Sequence, residues 1–135
     1  MNDLNRSYLR FNFYWKFGTN SCNILDNGKK IKKIGGNKWN CCVIGEILHR
    51  SRINEWQIKI NTRYKSTDII LGIAPSNINV NKADFSDSYS VNCNSCSFYL
   101  CNRQESNKMN RQVKIDDIVG IRVDTNPSTI EFSLN

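Results

Sequence analysis

Proline is almost missing from this chain of 135 residues, which holds only Pro75 and Pro127 and has a single histidine, His49. No proline-rich stretch therefore reads as a linker, and no boundary to a second domain is visible. A histidine-based catalytic pair needs a nucleophile and an orienting group, and nothing in the pattern around His49 supplies them. Long apolar runs are missing too. The longest, Cys41–Ile44 and Ile69–Ala74, fall far short of a bilayer span, so no membrane partner is expected. Residues Met1 to Arg6 lack a basic region followed by an apolar one, which argues against a signal peptide. The cytoplasm is then the expected location, with the nucleus as the alternative, and the sequon Asn5-Arg6-Ser7 carries no meaning there. Helix signals are nearly absent. The one segment with several helix formers, Arg103–Asn110, is wholly polar and too short to stand alone, so it is expected to be a surface loop. Without a helix, no glycine-rich phosphate cradle can open one.

What is present suits one globular domain of this length, with about two-fifths of its residues hydrophobic. Its cysteines stand at 22, 41, 42, 93, 96 and 101. Several fall inside strand-like runs, where cysteine acts as a small buried hydrophobe, and reduced thiols are the expected state. Cys93-x-x-Cys96 has a spacing that fits zinc or a redox pair. A structural zinc would need a fourth ligand besides these and Cys101, and no second paired knuckle exists, so no metal or cofactor is expected. Charge is uneven. Residues 1–65 hold thirteen Lys/Arg against four Asp/Glu, whereas residues 66–135 hold six against eight. Such asymmetry can steer an acidic partner without naming one.

The dominant pattern has period two. Trp56, Ile58 and Ile60 alternate with Gln57, Lys59 and Asn61, which predicts a strand with one face inward. Ile118–Val123 and Thr129–Leu134, joined by 124–128, read as a hairpin. Cys22–Leu25 and Lys30–Lys33 flank Asp26-Asn27-Gly28, a strong hairpin turn because Asn-Gly tolerates positive φ. Trp39–Ile44 is another expected strand. Asp68–Ala74 is expected to be central and covered on both sides. Tyr89–Asn92 and Ser97–Cys101 form a further pair. Trp39 and Trp56 are expected in the core. Eight to ten short strands with turns between them point to an all-β sandwich or barrel. Residues 1–19, with Tyr8, Phe11, Phe13, Trp15 and Phe17, read as an N-terminal strand or extension packed on a domain at 20–135.

Three ordered segments, Trp39-Asn40-Cys41-Cys42-Val43-Ile44-Gly45, Glu55–Ile60 and Ile69–Ala74, resemble the first half of a SPRY domain. Ser88-Tyr89-Ser90, Ser97–Leu100, Lys114–Ile121, Asp124-Thr125, Thr129–Phe132 and Leu134-Asn135 resemble the second half in order. Asp116 stands where glycine is usual in that family, and Tyr89 where tryptophan is common. The resemblance implies a two-layer antiparallel β-sandwich of the concanavalin-like kind with no catalytic activity. It implies a protein- or peptide-recognition module whose partner docks on edge loops. The family's chain continues past the asparagine matched by Asn135, so the sandwich is expected to be truncated at its C-terminal end, with residues 1–20 able to fill the gap.

Carried over residue by residue, the resemblance implies binding segments at 33–37, at 49–54 and at Tyr89-Ser90. The expected partner-binding residues are Lys33, Arg50, Arg52, Ile53, Tyr89 and Ser90. Arginine clamps carboxylates and tyrosine anchors interfaces. Two other readings compete. One is a structural scaffold domain in a larger assembly, which a broad apolar patch from residues 8–17 would favour. The other is a nucleic-acid-binding module using the basic segment 29–38, but a run of lysines is most often a solvated face and no nucleic-acid motif accompanies it. Asp116-Asp117 and Asp124 are read as turn residues and not as paired catalytic carboxylates.

Overall fold

A computed structural model of the chain describes residues 13–34, 43–50, 53–61, 69–79, 87–101, 103–126 and 128–135. The expectations for Tyr8, Phe11, Arg52 and residues 35–42, Trp39 among them, lie outside the described residues. The fold is nearly all β. Its strands are β1 (Phe17–Gly18), β2 (Cys22–Leu25), β3 (Lys30–Lys33), β4 (Val43–Ile44), β5 (Ile53–Lys59), β6 (Ile70–Ile73), β7 (Tyr89–Asn92), β8 (Ser97–Leu100), β9 (Arg103–Lys108), β10 (Ile118–Asp124) and β11 (Thr129–Leu134). All pairings are antiparallel. They form a three-stranded sheet ordered β11-β10-β5, a four-stranded sheet ordered β6-β7-β8-β9, and the two-stranded sheets β2-β3 and β1-β4.

The period-two pattern explains the three-stranded sheet. Val119, Ile121 and Val123 of β10 are all but fully buried. They lie opposite Ile58, Trp56 and Asn54 of β5, and opposite Leu134, Phe132 and Ile130 of β11. The alternate residues, Glu55, Arg122 and Glu131, face solvent, and Arg122 bridges to Glu55 at 3.2 Å. In the four-stranded sheet Leu71, Val91 and Phe98 align across three strands. A Cβ on Gly72 would sit 2.1 Å from the Tyr89 carbonyl oxygen, so only glycine lets β6 lie this close to β7.

The two sheets share one core. Ile60, Val113, Val119, Ile121 and Val123 pack with Leu71, Val91 and Cys93, and Phe98 stacks on Phe132 with centroids 5.7 Å apart. The segment before β1 closes over this core. Phe13 stacks on Trp56 at 5.3 Å, and Trp15 meets the edge of Phe13 at 4.8 Å. The β2–β3 turn is held beneath it: the Trp15 amide donates to the Gly28 carbonyl at 2.7 Å. Gly28 has φ +88°, and a Cβ there would lie 2.8 Å from the Trp15 carbonyl oxygen.

Three expectations are corrected. Residues 103–108 are strand β9, held at the sheet margin by backbone pairing to β8 despite lacking an apolar face. The apolar segment at 70–73 is not central: among the described residues β6 pairs only with β7. Its apolar character instead serves one side, where Leu71 and Ile73 meet the core. Cys22 is disulfide-bonded, where a reduced thiol was expected. Cys93 and Cys96 are free and buried, and Cys101 is free and exposed.

The turn leading into β10 is tied by Asp117. Its carboxylate accepts a two-pronged pair from Arg111 at 2.6 and 3.1 Å and the Lys114 amide at 2.6 Å. The Arg111 hydrogen bonds, followed by the Lys114 amide, hold the Asp117 carboxyl below its ordinary 3.8, at about 2. A depressed carboxyl value means that this stabilisation is present above pH 3.8 and disappears as pH falls through about 2. Urea unfolding followed across that interval is expected to lose stability more steeply in wild type than in Asp117→Asn, which should be weaker above it and flatter through it. Beside it, Asp116 has φ +73°, a left-handed conformation that costs a side-chain-bearing residue energy. Asp116→Gly is expected to raise stability by about 0.5 kcal/mol, read from the same urea midpoint.

Candidate functional site

The segment entering β5 is organised by one buried amide. Asn54 continues the inward face of Trp56, Ile58 and Ile60, and its side chain is wholly buried. A buried amide needs partners, and Asn54 finds them in the loop before the strand. Its Oδ1 accepts from the His49 amide at 2.8 Å, and its Nδ2 donates to the His49 carbonyl at 3.1 Å. The Thr125 hydroxyl reaches the same carbonyl at 3.5 Å, which ties the loop to the β10–β11 turn. Leu48 packs on the core next to this clamp, leaving His49 and Arg50 exposed. Ile53 faces outward opposite Asp124 and is 45% exposed.

Tyr89 stands in the other sheet, between Ile73 and Leu100, and is 39% exposed. Its phenol is pushed above the ordinary tyrosine range by a hydrogen bond to the Cys101 side chain, then by the electrostatic interaction with that group and by burial. Cys101 is positioned for this by a left-handed backbone, φ +50°, and by its amide donating to the Ser88 carbonyl at 3.0 Å.

The expected site residues divide accordingly. Arg50 follows His49, which the Asn54 side chain holds, and Ile53 opens β5. Arg52, between them in sequence, lies outside the described residues. Tyr89 is at a strand end of the four-stranded sheet. At the other end of that sheet, the Cys93 and Cys96 carbonyls accept hydrogen bonds from the Val113 and Met109 amides, and Met109 lines a groove together with Phe132 and Leu134. Registers therefore put Tyr89 and the His49–Ile53 loop away from that end of the shared core. Ser90 does not belong to the surface. Strand β7 is buried from Ser90 through Asn92 on both of its faces, so Ser90 is only 4% exposed and its hydroxyl lies 3.2 Å from that of Ser88. Lys33 sits on the separate β2–β3 hairpin opposite Cys22, alongside exposed Lys29, Lys30 and Lys32.

Asn54 entered the sequence reading only as the end of the 49–54 segment, and Cys101 only as a third candidate zinc ligand. Asn54 had a usable signal, since a polar residue in the inward register of an alternating strand must be satisfied locally. Cys101 had none, because its effect depends on a β8 register that places it beside Tyr89. The Cys93–Cys96 segment is a turn shaped by Asn92, whose Oδ1 accepts the Asn94 and Ser95 amides at 2.9 and 3.1 Å. Among the described residues, no group of three or more His, Cys, Asp and Glu side chains converges to hold a metal ion.

Comparisons with protein-family models, curated proteins and solved structures return no match to this chain.

Removing the Asn54 clamp strands the His49 backbone. Asn54→Ala is expected to cost about 1–3 kcal/mol in urea unfolding, with hydrogen exchange at the His49 amide accelerating more than exchange in β10.

Proposed function

We propose that this chain is a SPRY-like β-sandwich acting as a non-catalytic recognition module, which takes a protein or peptide at the end carrying Tyr89 and the His49–Ile53 loop. One observation carries this reading. Two large exposed side chains, Ile53 and Tyr89, are mounted on strands, and the loop bearing Arg50 is anchored from beneath by a fully buried Asn54. A rigid scaffold presenting an aromatic, an aliphatic and a guanidinium group makes an interface at low ordering cost. Arg50, with Arg52 following it, suits a partner with acidic groups beside an apolar anchor.

Two further features support the family reading. Residues 88–90 form a serine-aromatic segment with the serines inside and the ring outside. Position 116 adopts a left-handed backbone, the conformation that the family's usual glycine suits. Ser90 then acts behind the surface, as a support for the strand that carries Tyr89. The disulfide at Cys22 weighs toward an oxidising compartment over the cytoplasm.

The test is comparative affinity capture from native lysate and from an extracellular fraction. The baits are wild type, Arg50→Glu with Tyr89→Ala, and a control carrying Lys30→Glu with Lys32→Glu. A partner of this surface is expected to stay with the control and to lose about tenfold or more in affinity with the first double variant. Equal capture by all three, or loss only with the lysine variant, would overturn the reading.

A further inference from the structure

The margins of the three-stranded sheet differ in chemistry. Ile118 and Asn135 exchange both backbone hydrogen bonds, at 3.0 and 3.4 Å. The antiparallel ladder alternates from that pair. Thr129, Glu131 and Ser133 therefore turn their amides and carbonyls toward β10, while Ile130, Phe132 and Leu134 turn theirs away from it. Among the described residues β11 pairs with β10 alone, and nothing described takes up those outward groups. The same parity leaves β5 with Ile53, Glu55, Gln57 and Lys59 facing its outer margin, and charged residues there discourage strand addition. Strand β9, at the margin of the other sheet, carries Arg103, Glu105 and Lys108. From 129 to 134, β11 has no lysine and no proline, and Glu131 is its only charge.

We infer that the free edge of β11 pairs with β11 of a second copy of this chain, antiparallel and centred on Phe132, joining two three-stranded sheets into one. The choice of occupant rests on charge and register. With Phe132 facing its own copy, Ile130 meets Leu134 of the second copy, and Glu131 meets Ser133 of the second copy. Registers centred one residue to either side retain the hydrogen-bonding parity. The one centred on Glu131 sets that carboxylate against itself, and the one centred on Ser133 leaves Ile130 without an apolar counterpart. Only the Phe132-centred register aligns every apolar residue and keeps the acids apart. Beside this edge runs a groove of about 330 Å³ lined by Met109, Asn110, Arg111, Phe132, Ser133 and Leu134. It lies where Ile130 of the second copy would arrive. The excess positive charge is confined to residues 1–65, so the strand itself carries little repulsion.

Analytical ultracentrifugation of the whole chain from about 1 to about 500 µM tests this, with Ser133→Glu and Ser133→Lys beside wild type. Ser133 is exposed, and thermal melts check that each variant stays folded. Wild type is expected to show a reversible monomer–dimer equilibrium. Ser133→Glu sets Glu131 against a carboxylate twice per dimer and should weaken association about fivefold to tenfold. Ser133→Lys sets it against an ammonium and should tighten association about threefold, an effect that added salt erases. A wild type that stays monomeric throughout gives the edge to some other occupant and overturns the proposal. So does a dimer indifferent to both variants, or one that Ser133→Lys weakens.

Discussion

Everything described here hangs on the contact between the two larger sheets, where Phe98 stacks on Phe132 and Ile121 and Val91 are sealed from water. The strands of the three-stranded sheet alternate between a buried and an exposed face, and burying that apolar face against Leu71, Val91 and Phe98 of the other sheet holds the two together. At about 25 cal/mol per Å² of apolar surface, this dry layer is the main favourable term, and the backbone ladders mostly exchange water bonds for internal ones. The glycines serve the same contact. Gly72 draws β6 against β7 so that Leu71 reaches the core, and Gly28 admits the Trp15 backbone over the hairpin turn.

Polar groups inside the fold act as positioning devices. Asn54 replaces what would be another apolar core residue with an amide that reads as a piece of backbone to the His49 loop. Its burial makes the geometry strict, since an unsatisfied amide there costs more than an exposed one. Asp117 does the comparable work at the other end, gathering Arg111, the Lys114 amide and the turn before β10. Between these two clamps, the ends of the three-stranded sheet are set without any helix. The recognition reading rests on the first clamp, and β11 spans the sheet from that end, where Ile130 lies across Val123 from Asn54, to the Ile118 end beside the second.

Much of the fold was legible because strand alternation has a short period and each strand states its inward face locally. Trp56, Ile58 and Ile60, Val119 to Val123, and Ile130 to Leu134 all occupy the faces that the pattern implies. The turn at Asp26-Asn27-Gly28 follows from the positive φ that these residues tolerate. Less was legible where stability comes from pairing and not from burial. Strand β9 has no apolar face to announce it, and β6 announces burial it has on only one side. Of the site, Tyr89 entered through the family resemblance, whereas Ser90 beside it was not readable as internal because both faces of its strand are covered only in the folded chain.

The chain's own order of residues determined the β class, most strand positions, the inward faces and the hairpin turns, because these depend on neighbours within a few residues. Only the tertiary structure decided which strands are edges, that Cys22 is oxidised while Cys93 and Cys96 are not, and that Asn54 holds the loop of Arg50. It also decided that, among the described residues, β11 pairs with β10 alone. Those outcomes depend on distances between segments tens of residues apart, which hydrophobic packing sets and local pattern does not encode.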